Sequence, residues 1–257
     1  MQAPRFYLDQ ALAVQSRIEL PAPVAHHART VLRLREGDAL VLFNGLGGEF
    51  RARLVGGRDA GQRTAQAEVI EFDPIEREPC LRITLIQALA TSDKIDWIVE
   101  KAVEIGVARV IVTAAARSTA RLDEDRRARR LLHWRDLAIA ACCQCGRNRL
   151  VPIEATASLA QALGAAPAQD PKWILDPGAQ GAQAPARFDA PGVTLAIGPE
   201  GGFEPAEMQL ARQSGFLPAR LGARTLRTET AGLAAAAAWL ALSGEFSEQR
   251  AATPGSR

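Results

Sequence analysis

Two segments in the C-terminal half share one layout: an apolar run ends in a glycine-bearing turn and continues as a helix-like stretch. In the first, Val193-Thr194-Leu195-Ala196-Ile197 leads into Gly198-Pro199-Glu200-Gly201-Gly202-Phe203. In the second, Phe216 to Leu221 leads through Gly222-Ala223-Arg224-Thr225-Leu226-Arg227-Thr228-Glu229-Thr230-Ala231 into the alanine-rich run from Gly232 to Leu242. A glycine turn lacks Cβ atoms, so backbone N–H groups approach a ligand closely. Open α/β sheets bind ligands at the carboxyl ends of their strands, and two such turns close together fit that geometry. Taken alone, the first turn reads equally as ordinary glycine–proline punctuation. In the second, Thr228 is expected as N-cap, with Glu229 in the first turn favoured by the helix dipole.

The pattern along the chain changes near residue 80. Residues 1–73 hold short apolar or alternating runs, such as Ala39 to Phe43 and Ala65 to Phe72, broken by Asn44-Gly45-Leu46-Gly47-Gly48 and Gly56-Gly57. That spacing predicts a small β barrel. Asp73 to Pro79 reads as a linker. From residue 80 to about 246, apolar strands alternate with amphipathic helices, the signal of a parallel α/β sheet. Leu81 to Ala88 and Val110-Ile111-Val112 are predicted strands, and Ile95, Ile98, Val99 and Ala102 share one helix face. Residues 247–257 read as a frayed tail.

Composition narrows the class. With 47% hydrophobic and 23% charged residues the chain is an ordinary globular one. Its longest apolar stretch, Leu233 to Leu242, is too short to span a bilayer, and the N-terminus lacks the layout of a signal peptide. Cys80, Cys142, Cys143 and Cys145 are too few and too clustered for a disulfide framework. A cytoplasmic protein is expected. Cys142 and Cys145 form a C-x-x-C without a second pair inside a helical pattern, so buried thiols are the default and no metal is expected. Net charge is only +2, yet between Arg117 and Arg149 nine arginines face four acids. Arg126, Arg127, Arg129 and Arg130 read either as a solvated helix face or as phosphate contacts.

The two turns together resemble the signature of the RsmE family of ribosomal RNA methyltransferases, in the SPOUT superfamily. The likeness extends upstream through Pro4-Arg5-Phe6, His27, Val31-Leu32-Arg33, Gly37-Asp38, Lys94, the run Lys101 to Val107, Arg117-Ser118 and Gln144 with Arg147-Asn148. One position departs: the family usually carries a glutamate before the glutamine at 144, where this chain has Cys143. The resemblance implies a SPOUT-type α/β domain with a parallel sheet and a deep trefoil knot, preceded by a PUA-like β barrel that grips RNA. It implies S-adenosylmethionine bound by Ile197, Gly198, Pro199, Glu200, Gly201, Gly202, Leu221, Gly222, Leu226, Arg227, Thr228, Thr230 and Ala231. It further implies a homodimer acting on N3 of one uridine in 16S ribosomal RNA of the small subunit. A transfer RNA or another base as substrate, or a silent RNA-binding protein of the same fold, are the alternatives.

Methyl transfer from an activated sulfonium is chiefly a positioning problem. Loss of the proton from a uridine N3 needs a base or a nearby cation. Arg227 and Glu229 are the candidates nearest the cofactor turns, with simple first-turn capping the other reading of Glu229. Arg5, His27, Arg33, Lys94, Arg117, Arg126, Arg127, Arg130 and Arg147 are the expected RNA contacts.

Overall fold

A computed structural model describes residues 3–56, 65–118, 123–179 and 190–247, and the last ten residues of the expected tail lie outside these. The described residues fall into two units, one of 3–78 with 142–150 and one of 79–141 with 151–247.

The first unit is built on β1 (Arg5–Tyr7), β2 (Arg17–Leu20), β3 (Ala39–Phe43), β4 (Glu49–Val55) and β5 (Ala65–Asp73). The order is β1-β3-β4-β5-β2, with β1 parallel to β3 and the other pairs antiparallel. Along β4, Phe50, Ala52 and Leu54 point into the core while Arg51 and Arg53 face water, the period of two that a half-buried strand imposes. A register shift at Arg51/Ala52 marks a bulge, which bends the sheet. A short helix, α1 (Ala22–His26), packs Ala25 against this core.

Residues 142–150 also belong to this unit, although the composition shift groups them with the second. Polar side chains hold them. Asn148, fully buried, accepts from Arg5 Nη2 at 2.6 Å and donates to the Ile75 carbonyl at 2.8 Å. Glu49 takes Arg5 at 2.5 Å and Arg77 at 2.8 Å, and Arg147 pairs with Glu78. The expectation that Arg5 and Arg147 grip RNA is corrected here. Both side chains are about 5% exposed, and a charge taken out of water is held by a partner inside the protein.

The second unit carries β6 (Arg82–Ala88), α2 (Ser92–Ile105), β7 (Arg109–Thr113), α3 (Glu124–Cys145, its last turn in the first unit), β8 (Ile153–Thr156), α4 (Leu159–Gly164), β9 (Lys172–Leu175), β10 (Gly192–Ile197), α5 (Pro205–Gln213), β11 (Leu217–Ala219) and α6 (Thr228–Leu242). All its strand pairs are parallel, in the order β11-β9-β10-β6-β7-β8. β10 is buried on both faces, which is why Val193 to Ile197 reads as a near-continuous apolar run and not an alternating one. On α2, Ile95, Ile98, Val99, Ala102 and Val103 form the buried stripe. α6 lies close over the sheet: a Cβ at Gly232 would sit 3.1 Å from Ile197 and Leu85 side chains. The strand order turns back where β6 meets β10, and ligand crevices of α/β sheets open at such switch points. Among the described residues no helix is long and apolar enough to cross a membrane.

Candidate active site

A cavity of about 720 Å³ opens over the carboxyl ends of β9, β10 and β11. Its wall includes Ile197 at the end of β10 with Gly198 to Phe203 after it, and Leu221, Arg224 to Arg227 and the first residue of α6, Thr228. Ala231, Lys94 and Arg117 complete that part. Gly222, Glu229 and Thr230, expected beside these, do not line it. Sequence reasoning missed Leu175, Asp176 and Pro177 at the end of β9, and Arg220 and Arg224. The Asp176-Pro177-Gly178 turn after a short apolar strand was the available signal.

The loop after β10 is held by its carbonyls. Thr228 Oγ1 donates to Gly198 O at 2.6 Å, Arg117 Nη1 donates to Gly201 O at 2.9 Å, and the N–H of Gly202 closes a turn on Pro199 O at 2.9 Å. Gly202 has φ +69°, a left-handed conformation that glycine adopts without strain. In the second loop, the backbone N–H groups of residues 221–227 have no hydrogen-bond partner among the described residues.

Thr228 does not act as N-cap. That position is Arg227, in extended conformation, and Thr228 is the first helical residue. The correction has a physical reason: the Thr228 hydroxyl is buried, donating to Gly198 O while accepting from Gln87 Nε2 at 2.9 Å. Two buried partners outweigh one first-turn N–H, which is left to solvent or ligand.

Lys94, expected near RNA, is engaged by carboxylates. Its Nζ lies 2.8 Å from Glu200 and 3.5 Å from Glu229, so the first turn of α2, the loop after β10 and the first turn of α6 meet at one ammonium. The contact with Glu229 is an ion pair by distance only, since Glu229 Oε2 is buried and makes no hydrogen bond. The hydrogen bond it donates to Glu200 raises the Lys94 ammonium above its ordinary value. Burial pushes the Glu200 carboxyl up, but the Lys94 hydrogen bond and charge prevail and leave it below the usual range.

Arg227 is exposed, lines the cavity and has no ion-pair partner among the described residues. On α3, Arg126 lies 3.3 Å from Asp123, Arg127 3.9 Å from Glu124 and Arg130 3.7 Å from Asp96. In the first unit His27 and Arg33 are exposed, His27 edge-on to Phe6 with centroids 5.8 Å apart. Among the described residues no cluster of His, Cys, Asp or Glu could hold a metal ion. Burial pushes the Cys142 thiol up to about 12, which keeps it protonated.

The cavity's dimensions and chemistry suit a nucleoside carrying an amino-acid tail. Unpartnered backbone N–H groups offer donors to adenine and carboxylate acceptors, while Ile197, Leu221 and Leu226 give apolar walls. Residues 76–240 match the family model of an RNA methyltransferase domain, and residues 20–62 that of an RNA methyltransferase PUA domain. The chain is 31% identical to ribosomal RNA small subunit methyltransferase E of Mycobacterium bovis, covering 91% of this chain and 90% of that one. The enzyme of the same name from Neisseria gonorrhoeae, solved bound to S-adenosylmethionine, superposes with a TM-score of 0.86 at 35% identity, over 96% of this chain and all of that one. A Legionella pneumophila methyltransferase, also solved with the cofactor, gives a TM-score of 0.85 at 31% identity, over 94% and 98% of the two chains. With both family models matched in order and relatives aligned over nearly their full length, the chain belongs to the RsmE family of ribosomal RNA small subunit methyltransferases.

Proposed function

We propose that this protein uses S-adenosylmethionine to methylate N3 of one uridine in 16S ribosomal RNA, in the cytoplasm and as a homodimer with a trefoil-knotted cofactor domain. The observation that carries the reading is the cavity at the carboxyl ends of β9, β10 and β11, walled by the two glycine-bearing loops. The cofactor, when bound, supplies an electrophilic methyl group. The chain itself supplies placement. The N–H groups of 221–227 bind polar acceptors, Ile197, Leu221 and Leu226 exclude water, and the Thr228 and Arg117 hydrogen bonds fix the loop that the ligand rests on. Arg227, at the cavity wall without an ion-pair partner among the described residues, is the cation that favours the deprotonated N3 of the uridine. Glu229, outside the lining and beside Lys94, orders the first turn of α6. Arg33, His27, Arg117, Arg126, Arg127 and Arg130 remain the exposed or half-exposed groups available to RNA. Small subunits from cells lacking this gene, treated with the protein and the cofactor, should gain one methyl group, mapped by mass to N3 of a uridine. A methyl on another base, or on transfer RNA only, would replace this reading.

A further inference from the structure

We infer that Arg220 and Arg224 form a phosphate-binding rim that seats the RNA backbone beside the target uridine. The inference rests on the methyl-transfer reading above and specifies how that site holds its substrate. Both arginines are exposed and line the cavity on the turn between β11 and α6. Arg220 Nη2 donates to the carbonyl of Ala223 at 2.8 Å, which holds its guanidinium against the backbone next to Arg224. Neither has a carboxylate partner among the described residues, whereas Arg109, Arg126 and Arg130 meet one at 2.7, 3.3 and 3.7 Å. The acids on the cavity wall are already engaged: Glu200 holds Lys94, and Asp176 accepts the Gly178 N–H at 2.9 Å.

Two cations on one short turn repel each other unless an anion lies between them. The backbone N–H groups of this turn face the cofactor cavity, so the anion on the rim falls to the two side chains. A phosphodiester relieves that repulsion, and guanidinium forks match its oxygens in pairs. The rival anion is the cofactor's own carboxylate. The solvent-facing position of both side chains favours the RNA, which must arrive over this rim for its base to enter the cavity. Arg126, Arg127 and Arg130 of α3 have acidic neighbours, whereas Arg220 and Arg224 at the cavity mouth have none among the described residues.

The test uses small subunits reconstituted on transcribed, unmodified RNA, with binding and methylation measured across a salt series. For Arg220→Gln with Arg224→Gln, the slope of log affinity against log salt should fall by roughly 1.4, about 0.7 for each single-strand phosphate no longer neutralised. The KM for subunits should rise while S-adenosylmethionine affinity, by calorimetry, stays within about twofold of wild type. The double lysine variant should recover most of the slope, because charge is retained. Should the double variant not fold, Arg224→Gln alone decides, with an expected fall of roughly 0.7. An unchanged slope overturns the rim, and lost cofactor affinity with an unchanged slope assigns the anion to the cofactor. Wild-type protein that transfers no methyl group would instead overturn the proposed activity itself.

Discussion

The hydroxyl of Thr228 lies 2.6 Å from the carbonyl of Gly198, which makes the first residue of α6 and the loop after β10 a single structural piece. Gln87, at the end of β6, donates to the same hydroxyl from a fully buried position. Thr228→Val keeps the shape and removes both bonds, leaving the half-buried Gly198 carbonyl without this donor and the buried Gln87 amide with its bond to the Ala88 carbonyl alone. It should lose about 1–3 kcal/mol of stability and weaken cofactor binding. Thr228→Ser should restore both. Wild-type melting and wild-type calorimetry for the valine variant would show that the hydroxyl does not position the loop.

Gly201→Val should abolish S-adenosylmethionine binding while the fold persists. A Cβ at Gly201 would sit 3.2 Å from Arg117 Cβ and 3.3 Å from its Cδ, so a branched side chain displaces the arginine that holds the Gly201 carbonyl. The loop lies outside the hydrophobic core, so melting should shift little. Unchanged cofactor affinity in a folded variant would remove this loop from the site.

The strands, the helices and both cavity loops were legible because their signals are local: a buried run, a 3.6-residue stripe, a glycine turn. Arg5 and Arg147 were misread for the opposite reason. Their acids, Glu49 and Glu78, stand 44 and 69 positions away, and no local pattern pairs them. An arginine surplus looks alike whether it meets phosphate or a distant carboxylate. The placement of 142–150 in the first unit was hidden likewise, since Asn148 is held by Arg5 and the Ile75 carbonyl and not by an apolar period. Thr228 shows the same limit at shorter range: its sequence context suits a cap, but its hydroxyl is drawn inward by Gln87.

Acid should weaken the first unit through Glu49. Burial pushes this carboxyl up, but hydrogen bonds and charges from Arg77 and Arg5 overcome that and hold it at about 2 against an ordinary 4.5. A depressed pKa gives stability that is complete above about 4.5 and declines as pH falls toward 2, because the unfolded chain takes up the proton first. Glu49→Gln should cost on the order of 3 kcal/mol near neutrality, since it leaves two guanidinium groups less compensated. It should also flatten the acid limb. Melting temperatures of both proteins from pH 7 to 2 provide the check, and parallel curves would mean that the pair contributes nothing.

Arg227 and Glu229 should separate by kinetics. Arg227 is an exposed cation on the cavity wall without an ion-pair partner among the described residues, whereas Glu229 lies behind the wall, 3.5 Å from Lys94. Removing the cation by Arg227→Ala should slow single-turnover methylation about a hundredfold, the size expected when one charge-stabilising group is lost, with little effect on cofactor affinity or melting. Glu229→Gln retains size but ends the attraction to Lys94 and to the helix dipole. Its effect should be a stability loss of about 0.3–1 kcal/mol, with turnover close to normal. The reverse pattern, a slow glutamine variant and a fast alanine variant, would make Glu229 the proton acceptor and reduce Arg227 to a surface charge.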